Sequence, residues 1–173
     1  MLNKNEQFAD LHTHTLESDG LLSPAQLIDE AGEIGLAAIA ITDHDTVAAY
    51  EQASQQALKY NLEVIPAIEL SASVESTEVH VLGYYIDRHH DGLATYLQKL
   101  KQARVDRACA IIENLNASGH AIEFEHVLQR AGNSVIARPH IAEAMADCGI
   151  VDNYIDAFNH SIAAGKPACV EKD

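Results

Sequence analysis

His12-Thr13-His14 is the first place in the chain where chemistry is legible. Side chains alternate along a strand, so two histidines one residue apart turn their imidazoles to the same face and can chelate one metal ion. Asp19, five residues beyond His14 and followed by Gly20, lies in the next loop within reach of that neighbourhood. Such a pair alone is weak, and its company carries the reading. Asp43-His44, Glu69 and His80 follow; His14 to His44 is a step of 30 residues and His44 to Glu69 one of 25, each the length of one strand–helix repeat. Ligand-type residues recurring at that interval fall at equivalent ends of consecutive strands, where α/β barrels build their sites. Imidazoles mixed with carboxylates suit manganese, iron or zinc in a site holding more than one ion.

For those residues to meet, strand and helix must alternate between them. Residues 8–14 read as a first strand. Ser23 as N-cap, Pro24 at the first helical position and Gln26 closing a capping box predict a helix start. Leu27, Ile28, Ala31 and Ile34 supply its apolar face, and Gly35 stops it. Residues 37–41 form a short continuous apolar run, the mark of a strand buried on both sides, with Thr42-Asp43-His44-Asp45 at its end. Thr46 is expected to cap a second helix running to about Tyr60. Residues 64–68 predict a third strand ending at Glu69, then a Ser/Thr-rich stretch over 71–77 and a fourth strand over 79–85. This alternation predicts parallel βα units and the α/β class. From His89 the texture changes to helices over about 91–117, 123–131, after Pro139 and near 152–164. Gly165-Lys166-Pro167 closes that stretch, and Ala168-Cys169-Val170 hints at a return to β structure.

At 173 residues with 47% hydrophobic content, the chain suits one domain, or one carrying an insertion, with a real core. Its 26 acidic against 11 basic residues, net charge −15, argue against a broad basic face for duplex nucleic acid and favour divalent cations. Ten histidines point the same way. Cys109, Cys148 and Cys169, odd in number and far apart, form neither a disulfide framework nor a paired zinc motif and read as reduced thiols. Residues 1–7 lack the apolar run of a signal peptide, and no stretch reaches transmembrane length. The expectation is a cytoplasmic protein with no membrane partner.

Asp10-Leu11-His12-Thr13-His14, Ser18-Asp19-Gly20, Thr42-Asp43-His44-Asp45, Glu69 and Val79-His80-Val81-Leu82-Gly83-Tyr84 together resemble the PHP (polymerase and histidinol phosphatase) metal-dependent phosphoesterases. Ala137-Arg138-Pro139-His140-Ile141-Ala142, followed by Gly165-Lys166-Pro167, looks like the insertion of one branch. That branch holds nucleoside 3′,5′-bisphosphate phosphatases and 5′-to-3′ exoribonucleases. The resemblance implies an α/β fold, the N-terminal part of a distorted (β/α)7 barrel with an all-helical insertion. Residues 1–88 would be its first strands, 89–167 the insertion and 168–173 the start of the return. The family pattern continues with a His-Pro motif and an Asp-x-His motif that do not occur here. The chain therefore reads as a fragment of a longer protein or the product of a truncated gene, with each ion short of a ligand.

The same resemblance implies up to three divalent ions, with manganese first among the candidates and iron or zinc behind it. His12, His14 and Glu69 would hold one, Glu69 and His80 a second, Asp19 and His44 a third. Asp19, His44 and Glu69 would carry catalysis, with water activated between two ions as nucleophile. The substrate would be a small nucleotide of the 3′,5′-bisphosphate type or a short oligonucleotide.

Several residues keep two readings. Asp43 reads better as orienting a histidine from behind than as a ligand. His80, between Val79 and Val81, is a ligand or a satisfied core histidine. Arg138 and His140 hold a substrate phosphate or mark an exposed helix start. Arg104 and Arg107 line the substrate cleft or are solvated and paired with acids. His89, His90, His120, His126 and His160 read as surface residues. Two other functions compete: a non-catalytic metal-binding or interaction module, and an amidohydrolase, which would place a carbamylated lysine where Glu69 stands.

Overall fold

The computed structural model describes residues 7–74, 77–132 and 134–171. The expected lack of a leader therefore concerns residues mostly outside those described, as do positions 75–76 of the Ser/Thr-rich stretch. The chain forms two compact units. One comprises the chain through Ala72 with Val79–Leu97; the other comprises Ser73–Glu78 with the chain from Gln98 onward.

The first unit is built on a four-stranded sheet in the order β1 (Ala9–Thr13), β2 (Ala38–Ile41), β3 (Glu63–Val74), β4 (Thr77–Tyr84). β1 pairs with β2, and β2 with β3, in parallel. Between them lie α1 (Pro24–Ile34) and α2 (Ala49–Ala57). Period-two alternation divides the sheet's faces. Ile39, Ile41 and Val64 pack on the helix side with Ile28, Ala31, Ala53 and Ala57, while Ala40, Ile65 and Ala67 cluster on the other. That is why the apolar run of β2 carries no polar residue: both faces are covered.

α1 begins as its sequence dictates. The Ser23 side chain accepts from Gln26 N–H, the Gln26 side chain answers at the cap backbone, and Gly35 closes the helix at φ 86. Ile34 departs from the expected apolar face and is 55% exposed. It lies about 240° around the helix from Ile28, at the rim of the stripe. α2 starts at Ala49 and not at Thr46, whose Oγ1 instead accepts from Ala48 N–H at 3.2 Å in the turn before the helix. Asp29 of α1 accepts from Gln56 and Tyr60, and the Tyr60 ring lies where a Cβ on Gly32 would stand.

β3 is the larger correction. It does not end at Glu69 but runs twelve residues, to Val74. Nor is β4 reached by a helical crossover. Its contacts with β3 run in opposite order: Ile86 N–H donates to Pro66 O, Gly83 meets Ile68, and His80 meets Glu69. β3 and β4 thus form an antiparallel hairpin. Ser71 and its neighbours are poor strand formers by type, and pairing with neighbouring strands overrides that preference.

The second unit packs the later half of α3 (Asp91–Ala117) with α4 (Phe124–Ala131), α5 (Arg138–Asp147) and α6 (Tyr154–Ala157), which continues as a π-helix over Phe158–Ile162. Ala108, Ile111, Ile112 and Leu115 of α3 join Val127, Ile141, Met145 and Ile162 in one apolar core. The hinted strand at 168–170 is absent. Ala168 N–H bonds Ser161 O, Cys169 N–H bonds Lys166 O, and Ala168 is buried in the helical core. Cys109, Cys148 and Cys169 are all free thiols. Among the described residues no helix is long and apolar enough to cross a membrane.

Candidate metal centre

Glu69 is the hub. On β3 it continues the parity of Ile65 and Ala67, so its side chain leaves the sheet on the face away from α1 and α2. The residue is 4% exposed. Its Oε1 lies 2.7 Å from His80 Nδ1, and its Oε2 lies 3.0 Å from His12 Nε2, 3.1 Å from His14 Nε2 and 3.8 Å from His44 Nδ1. Burial alone would raise the carboxyl's pKa, but His44, His12, His80 and His14 outweigh it and hold the pKa below its ordinary value.

Asp19 faces the other edges of two of these rings, with Oδ1 3.3 Å from His14 Nδ1 and Oδ2 3.5 Å from His44 Nε2. The loop that presents it folds back tightly. Ser18 and Gly20 both donate to Thr15 O, and a Cβ on Gly20 would lie 2.3 Å from His14 O. Only glycine fits against that peptide, which is the reason Asp19-Gly20 is more than an ordinary turn.

The sequence-predicted residues His12, His14, Asp19, His44, Glu69 and His80 therefore come together. They form three groups whose ligand atoms lie within 4.8 Å of one another: His12–His14–Glu69, His14–Asp19–His44, and His44–Glu69–His80. His14 and His44 each stand in two groups, so the partition is more shared than the resemblance implied. His12 and His14 converge despite a register shift between Asp10 and Thr13, and β1 stops at Thr13, one residue short of His14.

The first group tests whether an ion fits. His12 Nε2 and His14 Nε2 are 3.2 Å apart, and both are about as close to Glu69 Oε2. A hydrogen on each nitrogen would serve the carboxylate but set two N–H groups against each other. A cation among the three satisfies all of them. With bonds of roughly 2.1 Å, ligands at right angles lie about 3.0 Å apart and tetrahedral ones about 3.4 Å. The observed triangle fits that range.

Asp43 is 1% exposed and belongs to none of the three groups. Its Oδ1 accepts from Thr15 N–H at 2.7 Å and Ser18 Oγ at 2.6 Å, and its Oδ2 from Thr15 Oγ1 at 2.6 Å. It braces the loop carrying Asp19, and the same Ser18 Oγ that it holds lies 3.5 Å from His14 Nδ1. Thr15, Ser18, Asp45 and Ser71 are buried polar residues to which the sequence reading gave no role. Ser18 and Asp45 flank recognised ligands, but nothing in their types predicted which bonds they make.

Arg104, Arg107, Arg138 and His140 belong to the helical unit. Arg107 Nε donates to Val170 O at 2.8 Å and Arg104 approaches Ile136 O at 3.4 Å. His140 is buried, not an exposed helix start, and its Nδ1 accepts from Ala137 N–H at 3.1 Å.

Comparison with known proteins decides the family. A family model described as the PHP domain matches residues 10–138. The chain belongs to the PHP domain family. A 5′-3′ exoribonuclease of Salmonella typhimurium is 36% identical over 165 residues, 93% of this chain and 56% of its own length. A 3′,5′-nucleoside bisphosphate phosphatase of Chromobacterium violaceum is 32% identical over 162 residues, 93% of this chain and 57% of its own. The crystal structure of a candidate metal-dependent phosphoesterase from Bifidobacterium adolescentis superposes with a TM-score of 0.87 at 29% identity, over 96% of this chain and 59% of that one. This PHP chain thus spans little more than half the length of the relatives it matches.

Proposed function

We propose that this chain carries the metal centre of a phosphoesterase that hydrolyses a phosphate ester of a small nucleotide, of the 3′,5′-bisphosphate type, or of a short oligonucleotide. One observation carries the reading: a single buried carboxylate, Glu69, faces four imidazoles, with Asp19 behind two of them. The PHP relatives named as acting on bisphosphates and RNA support the substrate class.

Glu69, His12 and His14 would hold one divalent ion, His44 and His80 with Glu69 a second, and Asp19 with His14 and His44 a third. Manganese suits this mixture of imidazole and carboxylate, with iron and zinc as alternatives. Bound divalent ions supply Lewis acidity at phosphoryl oxygens and lower the pKa of water to roughly 7. Glu69 balances the positive charge and fixes the spacing of the rings. Asp43, through Thr15 and Ser18, keeps Asp19 in place. Arg138 and His140, in the first turn of α5, are our assignment for a second substrate phosphate, with Arg104 and Arg107 beside them in role. A guanidinium matches phosphate geometry, and a helix start favours anions. We read residues 1–88 as the opening of the barrel and 89–167 as its helical insertion.

The test is phosphate release from adenosine 3′,5′-bisphosphate with added Mn²⁺, with His14→Ala as control. Turnover that the substitution abolishes supports the proposal. A folded chain that binds Mn²⁺ and releases nothing is an inert metal-binding module, and turnover kept by His14→Ala removes the assigned site.

A further inference from the structure

The β2–β3 ladder keeps one offset, 25 residues, from Ala38↔Glu63 to Ile41↔Pro66, and the isolated bridge His44↔Glu69 keeps it too. Around that bridge Glu69 N–H donates to Asp43 O at 3.3 Å and Asp45 N–H donates to Glu69 O at 3.0 Å. The next rung of a parallel ladder would bring Ser71 N–H to the main-chain oxygen of Asp45. Instead Ser71 N–H donates to the side chain, Asp45 Oδ1, at 2.9 Å. Asp45 itself stands at φ 55, a left-handed conformation that non-glycine residues seldom adopt and that Asp and Asn tolerate best. The main chain thus turns off toward α2 while the side chain supplies the missing rung.

We propose that Asp45 is a positioning residue: its carboxylate, standing in for a main-chain carbonyl, clamps β3 beyond Glu69 and thereby fixes the His44 ring against Glu69, His14 and His80. His44 lies between the two main-chain rungs, so its placement follows from theirs. Its ring centroid is 4.8 Å from those of both His14 and His80, and it belongs to two of the three candidate ligand groups. Asp45 is 3% exposed and Ser71 6%, so water cannot easily replace a lost bond. A left-handed aspartate held in that way beside a ligand is the kind of strained position that surrounding structure must over-determine. The link to ion affinity rests on the metal reading above; the placement of the ring does not.

The experiment compares Asp45→Asn, Asp45→Gly and Asp45→Ala in the full chain. Asparagine keeps an acceptor oxygen and the backbone conformation, glycine keeps only the conformation, and alanine neither. In metal-free protein, amide exchange at Ser71 and nuclear Overhauser contacts between the His44 ring and the His14 and His80 rings are followed by NMR. Mn²⁺ is then titrated. Asp45→Asn is expected to match the parent. Asp45→Gly is expected to speed Ser71 exchange by about tenfold or more, lose the ring contacts and weaken the ions at the His44-containing groups by about tenfold. Asp45→Ala is expected to lose at least as much. Ring contacts kept in Asp45→Gly would overturn the proposal. So would an Asp45→Asn variant as damaged as Asp45→Gly, since charge and not the acceptor would then matter. If the glycine and alanine variants fail to fold, an unprotected Ser71 amide in the parent overturns the clamp, and a protected one with Asp45→Asn matching the parent supports it. A parent that binds no Mn²⁺ refutes the metal reading, and the ring contacts still decide the clamp.

Discussion

The two units bury different things. In the βα unit the buried polar residues are Thr15, Ser18, Thr42, Asp43, Asp45, Glu69 and Ser71, including every buried carboxylate among the described residues. In the helical unit the interior is a continuous apolar cluster, and the buried polar residues are Ser134, Ser161 and His140. Burying a carboxylate is expensive unless each oxygen finds donors or positive charge. The βα unit meets that cost with a polar frame: Asp43 to the Asp19 loop, Asp45 to β3, Glu69 to the imidazoles. The helical unit avoids it and is held by packing. One unit is organised around the candidate metal centre, while the other is organised around a continuous apolar core.

Substitutions should separate the two. Glu69→Gln removes the charge that four imidazoles face. It should lower Mn²⁺ affinity by more than the roughly 10–100-fold typical of residues standing behind ligands, as read by calorimetric titration. Met145→Ala, at a fully buried site of the helical core, should cost about 2–5 kcal/mol in denaturant unfolding while leaving the number of bound Mn²⁺ ions unchanged. If it also strips ions, the division of labour is wrong. Asp43→Asn keeps the shape of the brace but weakens its bonds to Thr15 and Ser18. A loss of roughly tenfold in Mn²⁺ affinity without loss of helix content by circular dichroism is expected.

Arg138→Ala tests whether the helical unit contributes to binding and not to chemistry. It should raise KM for adenosine 3′,5′-bisphosphate by about tenfold with kcat little changed and ion stoichiometry intact. An unchanged KM would leave the helical unit purely structural. The smallest effect belongs to the exposed pair Arg130–Asp147 that joins α4 to α5. Arg130 holds the Asp147 carboxyl below its ordinary value. Its contribution is therefore present above the unfolded-state pKa and lost as pH falls through the folded one. Asp147→Asn should lower the thermal midpoint slightly at neutral pH, and the difference from the parent should vanish below the carboxylate range.

Much of this was local and therefore readable. Ser23, Pro24, Gln26 and Gly35 specify where α1 starts and stops through bonds within a few residues, and α3 lies over the stretch its composition marks. The ligand types and their spacing pointed to a metal site before any element was placed. What failed was long-range. Ser71 and its neighbours looked like loop because their propensity for strand is low, yet pairing with other strands draws β3 on to Val74. Ala168 looked like a returning strand because its apolar neighbourhood cannot distinguish a strand from a chain packed on helices.

By itself, the sequence determined the family, the α/β class and the six residues that crowd the site, because motif chemistry and repeat length are properties of the chain. Tertiary structure alone decided that His80 reaches Glu69 through an antiparallel hairpin, that Asp43 braces Thr15 and Ser18, and that Asp45 replaces a ladder carbonyl for Ser71. Each of those depends on a hydrogen bond or register between residues 11 to 28 positions apart. No local pattern encodes such a partnership; it exists only once the sheet has brought both ends of the bond to one place.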